Sequence, residues 1–99
     1  MTSQDAIIHI KFEIFGKVQG VYFRKYTKEK ADTVGIRGWV KNTTQKTVIG
    51  ELQGHMEDVK EMKTWLQNEG SPKSKISKAV FEDQEVIKDY TYSNFSIVK

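Results

Sequence analysis

The hydrophobic pattern changes once within residues 8–24, IHIKFEIFGKVQGVYFR. Over residues 8–14 apolar and polar side chains alternate, which predicts a half-buried strand. From Phe23 the apolar side chains recur with the spacing of a helix, and Gly35 is well placed to end it. Residues 16–20, GKVQG, lie between the two patterns and predict a glycine-punctuated loop. The stretch therefore predicts a strand, a loop and a helix in direct succession.

Strands and helices continue to alternate along the rest of the chain. No linker and no internal sequence repeat interrupts them. Its strands are predicted at residues 36–42, 47–53, 77–82 and 90–98, and its second helix at residues 57–69. The resulting order, βαββαββ, predicts an α+β fold: a ferredoxin-like α/β sandwich, βαββαβ with an additional strand. Such a fold has a mainly antiparallel sheet with two helices on one face. We expect a single domain over residues 1–99, with residues 1–6 disordered.

Composition narrows the kinds of chemistry and the compartment. The 99 residues include no cysteine, which excludes disulfides, a thiolate nucleophile and cysteine-ligated zinc. The polar start and the interrupted apolar run of residues 1–15 are unlike a signal peptide, and no apolar stretch is long enough to span a bilayer. These features predict a cytoplasmic protein without membrane insertion.

Positive charge is concentrated in the first half of the chain. The net charge is +3 overall, with +5 carried by residues 1–50 and −2 by residues 51–99. An anionic ligand is therefore expected at the first half, although ordinary scatter of surface charge would give a similar asymmetry.

The loop ahead of the first helix has the features of an anion site. The first backbone N–H groups of a helix have no internal acceptor, and the helix dipole adds partial positive charge there. Gly16 and Gly20 would let successive N–H groups converge, and Arg24 in the first turn could hold two oxygens of a phosphate. A glycine-flanked loop is also a common tight turn, and no Gly-Lys-Ser/Thr follows as in a magnesium-binding P-loop. Both interpretations stay open from these residues alone.

The sequence closely resembles the acylphosphatase family. The resemblance runs from about residue 8 to the C-terminus. Four segments carry it: FGKVQGVYFR at 15–24, GWVKNT at 38–43, GELQG at 50–54 and YSNFSI at 92–97.

The resemblance implies a set of site residues. Arg24 matches the family's phosphate-binding arginine, and Asn42 matches the asparagine that positions the attacking water. Gly16 and Thr43 are expected to support them, and no metal or other cofactor is expected. The phosphate cradle is expected to consist of the backbone N–H groups of Gln19, Gly20, Val21, Tyr22 and Phe23.

The implied reaction suits so small a set of groups. A departing carboxylate has a pKa of about 4 to 5, so it needs little help from a general acid. Phosphoryl transfer through a loose transition state depends mostly on positioning and charge stabilisation. We therefore expect hydrolysis of the carboxyl-phosphate bond by in-line attack of water, without a phosphoenzyme. The expected partners are small acyl phosphates and inorganic phosphate, with phosphorylated membrane pumps as further substrates, and no nucleic acid; we expect a monomer.

Two departures from the family pattern stand out. Lys46 occupies a hairpin position where the family usually has glycine, and a positive φ there would cost about 1 kcal/mol. The chain ends with Ile-Val-Lys at residues 97–99, where relatives commonly end with arginine and an aromatic residue. Support of Arg24 by the C-terminus is therefore less secure in this chain.

Two other readings compete with an enzyme. The element order, the basic pI of about 9.1 and the fragment RGWV at 37–40 loosely resemble an RNA-binding RRM-like module. A non-catalytic, binding-only domain of the same family is the closer rival. His9 and His55 are interpreted as surface residues, and Trp39 and Trp65 as packing residues.

Overall fold

The structure, a computed structural model, describes residues 6–99. Disorder was expected for residues 1–6. Residues 1–5 lie outside the described range, and Ala6 directly precedes the first strand. In the described part of the chain, no helix has the length and apolar character needed to cross a bilayer. The elements are β1 (Ile7–Lys17), α1 (Phe23–Val34), β2 (Arg37–Asn42), β3 (Val48–His55), α2 (Met56–Asn68), β4 (Lys75–Ile87) and β5 (Phe95–Val98).

One five-stranded sheet has the order β4-β1-β3-β2-β5. Its pairs are antiparallel except for β2 and β5, which run parallel. The predicted order of elements and the mainly antiparallel sheet are thus confirmed. The fold class, a ferredoxin-like α+β sandwich, is confirmed with them.

The core lies between the sheet and the two helices, which pack on the same face. Alternate side chains of β1 are buried there, as the period of two predicted. The ring centroids of Phe23 in α1 and Trp65 in α2 lie 5.8 Å apart, so Trp65 is a packing residue as expected. The helices contribute Phe23, Thr27, Ala31, Val59, Met62, Trp65 and Leu66 as buried residues.

The last strand begins later than the sequence predicted. Residues 90–94, expected to be extended, form a connection that is held by the fully buried side chain of Gln53. The Gln53 side chain accepts a hydrogen bond from Thr91 N at 2.9 Å and donates one to Thr91 Oγ1 at 2.6 Å. The same side-chain oxygen accepts from Tyr92 N at 3.3 Å, so the N–H groups of Thr91 and Tyr92 are satisfied without a strand partner. β4 is longer than predicted, and Asp83, with a φ of 56°, lies where its register against β1 shifts.

His9 lies on the outer face of the sheet, as expected for a surface residue of a strand, but its ring takes part in a polar network that the sequence did not predict. Its ring is mostly buried on the sheet face opposite the helices, where Nε2 lies 2.6 Å from Glu51 and Nδ1 lies 3.0 Å from Glu85. Tyr92 donates a hydrogen bond of 2.9 Å to the same Glu51 carboxylate and accepts one from Trp39. Trp39 therefore packs at the edge of a polar network. The pairing of His9 with residues on two neighbouring strands follows from strand order, which sequence spacing does not show.

His55 lies at the end of β3 and is exposed, as expected.

Candidate active site

The loop between β1 and α1 is shorter than the sequence suggested. Gly16 lies within β1, where it has a φ of 124° and faces the β4 backbone. A Cβ atom at this position would lie 2.1 Å from the carbonyl oxygen of Lys75. Gly16 is therefore required by the close approach of β4, and the loop proper comprises residues 18–22.

The end of this loop has alternating backbone handedness. Gly20 has a φ of 74° and Tyr22 a φ of 60°, whereas Val21 between them is not in the positive-φ region. Alternation of this kind is typical of a nest, in which successive N–H groups turn toward one side of the chain. Tyr22 is also the N-cap of α1 and makes no side-chain capping bond. The loop therefore leads directly into the positive end of the helix dipole.

The backbone N–H groups of residues 19–23 are unbonded within the described residues, 6–99. The first hydrogen bond of α1 is donated by Tyr26 N to Tyr22 O at 3.1 Å, so the preceding amides lie ahead of the helical ladder. The first turn also contains no acidic side chain. Five amides expected to form the cradle are thus available as donors.

Arg24 and Asn42 line one cleft of about 390 Å³ beside this loop. The two residues are 18 positions apart in the sequence and share the cleft because α1 packs against β2. Within the described part of the chain the Arg24 guanidinium has no carboxylate partner, so its charge is available to an anion. Ile97 also lines this cleft with an apolar side chain. It belongs to the C-terminal residues 97–99, which differ from the usual ending of the family.

The side-chain oxygen of Asn42 is buried and has no hydrogen-bond partner among the described residues. A buried acceptor without a partner costs about 1–3 kcal/mol, so such groups usually have a reason. Asn42 is the last residue of β2, and its side chain lines the cleft that Arg24 also lines. The oxygen is closed to solvent in this orientation of the side chain, so the Asn42 amide as a whole, which lines the cleft, is the candidate group for a molecule bound there.

Sequence reasoning missed the role of the Gln19 side chain, since only its backbone N–H was expected to act. Its Nε2 atom donates hydrogen bonds of 2.9 Å to the carbonyl oxygens of both Thr43 and Thr47. These bonds fasten the loop to the hairpin that follows Asn42. The Thr43 hydroxyl lies 2.7 Å from that of Thr47, which donates to Glu13 at 2.6 Å. No local pattern signals this network, because its members come from three separate segments.

The surroundings of the loop are positively charged. Lys25 lines the cleft together with Arg24, and Lys17 and Lys46 line a second cleft on the other side of the loop. No acidic residue lies among the described lining residues of either cleft. The charge asymmetry seen in the sequence is thus concentrated around the loop, which favours an anionic ligand.

Lys46 has a φ of 68°, so the strain considered for this position is present.

Comparisons with known proteins identify the family of this chain. The family model described as Acylphosphatase matches residues 10–97. The chain belongs to the acylphosphatase family. It is 50% identical over 97 residues to Acylphosphatase-1 of Xenopus tropicalis, covering 98% of this chain and 99% of that protein. It is 48% identical to Acylphosphatase-1 of Homo sapiens over the full length of both chains. The solved structure of an acylphosphatase from Coxiella burnetii superposes with a TM-score of 0.84 at 32% identity, covering 99% of this chain and 100% of that one.

The family membership decides between the competing readings of the sequence. This acylphosphatase is an enzyme, a hydrolase acting on the carboxyl-phosphate bond of acyl phosphates. An RNA-binding or non-catalytic module is not favoured.

Proposed function

We propose that this acylphosphatase hydrolyses small acyl phosphates by direct in-line attack of water in the cleft between the loop of residues 18–22 and the end of β2. The observation that carries the proposal is the buried, unpartnered oxygen of Asn42 in the cleft that Arg24 lines. A cationic group, unbonded amides and an isolated acceptor meet there. This combination suits a phosphoryl group and a water molecule together.

The phosphoryl group binds to the loop amides and to Arg24. The unbonded N–H groups of residues 19–23 donate to its oxygens, and the guanidinium holds two oxygens as a planar fork. In a loose transition state the negative charge is spread over the equatorial oxygens, which these donors face. Gly16 and Thr43 support the arrangement, Gly16 through the close packing of β1 on β4 and Thr43 through the hairpin.

The attacking water is positioned by Asn42. When the amide turns its unpartnered oxygen into the cleft that the side chain lines, this oxygen accepts a hydrogen bond from the water, so that a lone pair of the water points at phosphorus. An amide hardly protonates, so Asn42 acts by orientation and not as a base. The water proton leaves with the inorganic phosphate, and the bond that breaks is the one between phosphorus and the carboxylate oxygen.

The leaving group explains why so few groups are sufficient. A carboxylate with a pKa of about 4 to 5 departs without protonation. The proposed chemistry therefore needs neither a general acid nor a metal ion, and it forms no phosphoenzyme. It proceeds by positioning and by electrostatic stabilisation.

The substrates proposed are small acyl phosphates, and inorganic phosphate is a product that competes for the same cradle. The aspartyl phosphate of a membrane pump contains the same mixed anhydride, so the proposal extends to such pumps. We propose that the protein acts as a monomer in the cytoplasm. The absence of cysteine from its sequence suits a reducing compartment.

Hydrolysis of benzoyl phosphate in the presence of EDTA, with inorganic phosphate as a competitor, tests the proposal. We expect full activity with the chelator present and competitive inhibition by phosphate. Arg24→Ala is expected to lose on the order of 100- to 1,000-fold in kcat/KM, as for a preorganised transition-state donor. Arg37→Ala is the matched control, because this arginine stacks on Tyr90 outside the cleft. A requirement for magnesium, or indifference to phosphate, would refute the proposal.

A further inference from the structure

Tyr22 is a large aromatic residue in an unusual place. Its backbone has a φ of 60°, a conformation that is uncommon for bulky residues and costs about 1–2 kcal/mol. Its side chain is 73% exposed, and it nevertheless lines the cleft that contains Arg24 and Asn42. The positive φ serves the nest, for which glycine or asparagine would suffice. Packing within the protein does not explain an aromatic side chain there, whereas contact with a bound molecule would.

Lys25 lies beside this ring. Its Nζ atom is 5.9 Å from the ring centroid of Tyr22, and its side chain lines the same cleft. No carboxylate pairs with it within the described residues. The ring and the ammonium therefore form one exposed pair at the wall of the cleft.

In-line attack requires the water and the acyl group to lie on opposite sides of phosphorus. This requirement places the acyl group near Tyr22 and Lys25. The cleft has one wall from the sheet, with Asn42 of β2 and Ile97 of the neighbouring β5, and another from the start of α1. If water is held at Asn42, the leaving carboxylate must lie on the opposite side of phosphorus. Among the lining side chains other than those of Arg24 and Asn42, Val18 and Phe23 are buried in the core, whereas Tyr22, Lys25 and Ile97 are exposed. Of these three, Tyr22 and Lys25 belong to the start of α1, whereas Ile97 lies on β5 beside the strand that ends in Asn42.

We propose that Tyr22 and Lys25 select the acyl group of the substrate. The proposal rests on the proposed function, because it takes the phosphoryl position and the water position from it. The Tyr22 ring stacks on a flat, unsaturated acyl group, and the Lys25 ammonium attracts a negative charge carried by that group. The preferred substrate class is thus aromatic acyl phosphates, and among them those with a further anionic substituent.

The role of the ring is tested with acetyl phosphate and benzoyl phosphate. Tyr22→Asn removes the ring but keeps a residue that tolerates a positive φ. We expect the ratio of kcat/KM for benzoyl phosphate to that for acetyl phosphate to fall about fivefold in this variant. Tyr22→Phe should keep the ratio, since it retains the ring. Tyr90→Asn removes an aromatic residue that stacks on Arg37 outside the cleft and serves as the matched control.

The role of the charge is tested with 4-carboxybenzoyl phosphate against benzoyl phosphate. In Lys25→Gln we expect the ratio of kcat/KM for the carboxylated substrate to that for benzoyl phosphate to fall about threefold, and Lys25→Arg should restore it. The difference should shrink at high salt, because the charge is exposed. Lys60→Gln is the control for loss of one positive charge, on the outer face of α2.

The inhibition constant of inorganic phosphate separates this inference from the proposed function. Unchanged substrate ratios in Tyr22→Asn and Lys25→Gln, with phosphate inhibition intact, would overturn the inference alone. Equal loss with all three substrates together with weaker phosphate inhibition would also overturn it, because the ring would then act through the cradle. Indifference of the unmodified protein to phosphate would overturn the proposed function itself.

Discussion

The side-chain nitrogen of Gln19 lies 2.9 Å from the carbonyl oxygen of Thr43. This contact joins the two halves of the candidate site. Gln19 belongs to the loop with the unbonded amides, and Thr43 directly follows Asn42 at the end of β2. A second bond, from the same nitrogen to Thr47, prevents the hairpin from pivoting about the first. The distance between the cradle and the Asn42 oxygen is therefore fixed by hydrogen bonds as well as by packing.

Gln19→Leu should weaken both stability and activity. The variant removes two hydrogen bonds, which together contribute about 1–3 kcal/mol to the free energy of unfolding. Because the cradle and the water site lose their link, we also expect kcat for benzoyl phosphate to fall by about tenfold or more. Urea unfolding and steady-state kinetics measure the two effects. Gln84→Leu, on exposed β4, is the control, and an unaltered kcat in Gln19→Leu would show that the link does not position the site.

Asn42→Ala should lose activity without losing stability. The Asn42 oxygen has no partner within the described residues, so its removal breaks no hydrogen bond of the fold. We expect kcat to fall on the order of 100-fold or more, while the free energy of unfolding stays equal or increases. Asn68→Ala, at the exposed end of α2, controls for the loss of an amide. Activity like that of the unmodified protein would remove Asn42 from the mechanism.

Lys46→Gly should stabilise the protein. Lys46 has a φ of 68°, which glycine adopts without the steric cost paid by a residue with a Cβ atom. We expect the free energy of unfolding to rise by about 1 kcal/mol in urea titrations. Lys41→Gly is the matched control, because Lys41 lies in β2 with no positive φ and should be destabilised by glycine. A loss of stability in Lys46→Gly would mean that its side chain compensates for the strain.

The network around His9 should make stability depend on pH. Burial by itself lowers the pKa of His9, but hydrogen bonds and charge attraction from Glu85 and Glu51 outweigh burial and raise the pKa above 6.5. Burial likewise raises the pKa of Glu51, but hydrogen bonds from His9 and Tyr92 and the charge of His9 bring it below 4.5. The His9 contribution is complete below pH 6.5 and is lost as pH rises through the raised pKa. The Glu51 contribution is complete above pH 4.5 and is lost as pH falls through the lowered pKa.

The difference in free energy of unfolding between the unmodified protein and His9→Gln should therefore be largest between pH 4.5 and 6.5. Urea unfolding at a series of pH values measures it. Glu85→Gln should lower the His9 pKa in an NMR titration, since it removes one of the two charges that raise it. A difference that keeps growing above pH 7 would contradict the assigned direction.

Local patterns predicted most of the fold correctly. The alternation in β1 and the helical spacing from Phe23 fixed two element types, and Gly35 ends α1 with a φ of 89°. The boundaries failed where distant residues decide them. Gly16 continues β1 because β4 lies against it, and the chain at Thr91 and Tyr92 stays outside the sheet because Gln53 accepts from both of their N–H groups.

The sequence by itself determined the order of the elements, the positive first half of the chain and, through its motifs, the acylphosphatase family. These depend on residues that are neighbours along the chain. Only the tertiary structure decided that Asn42 lies in the Arg24 cleft with an unpartnered oxygen, that Gln19 bonds to the hairpin, and that His9 lies between two carboxylates. The physical reason is that strand order and the packing of α1 on the sheet set these distances, and neither is encoded in the spacing of a single segment.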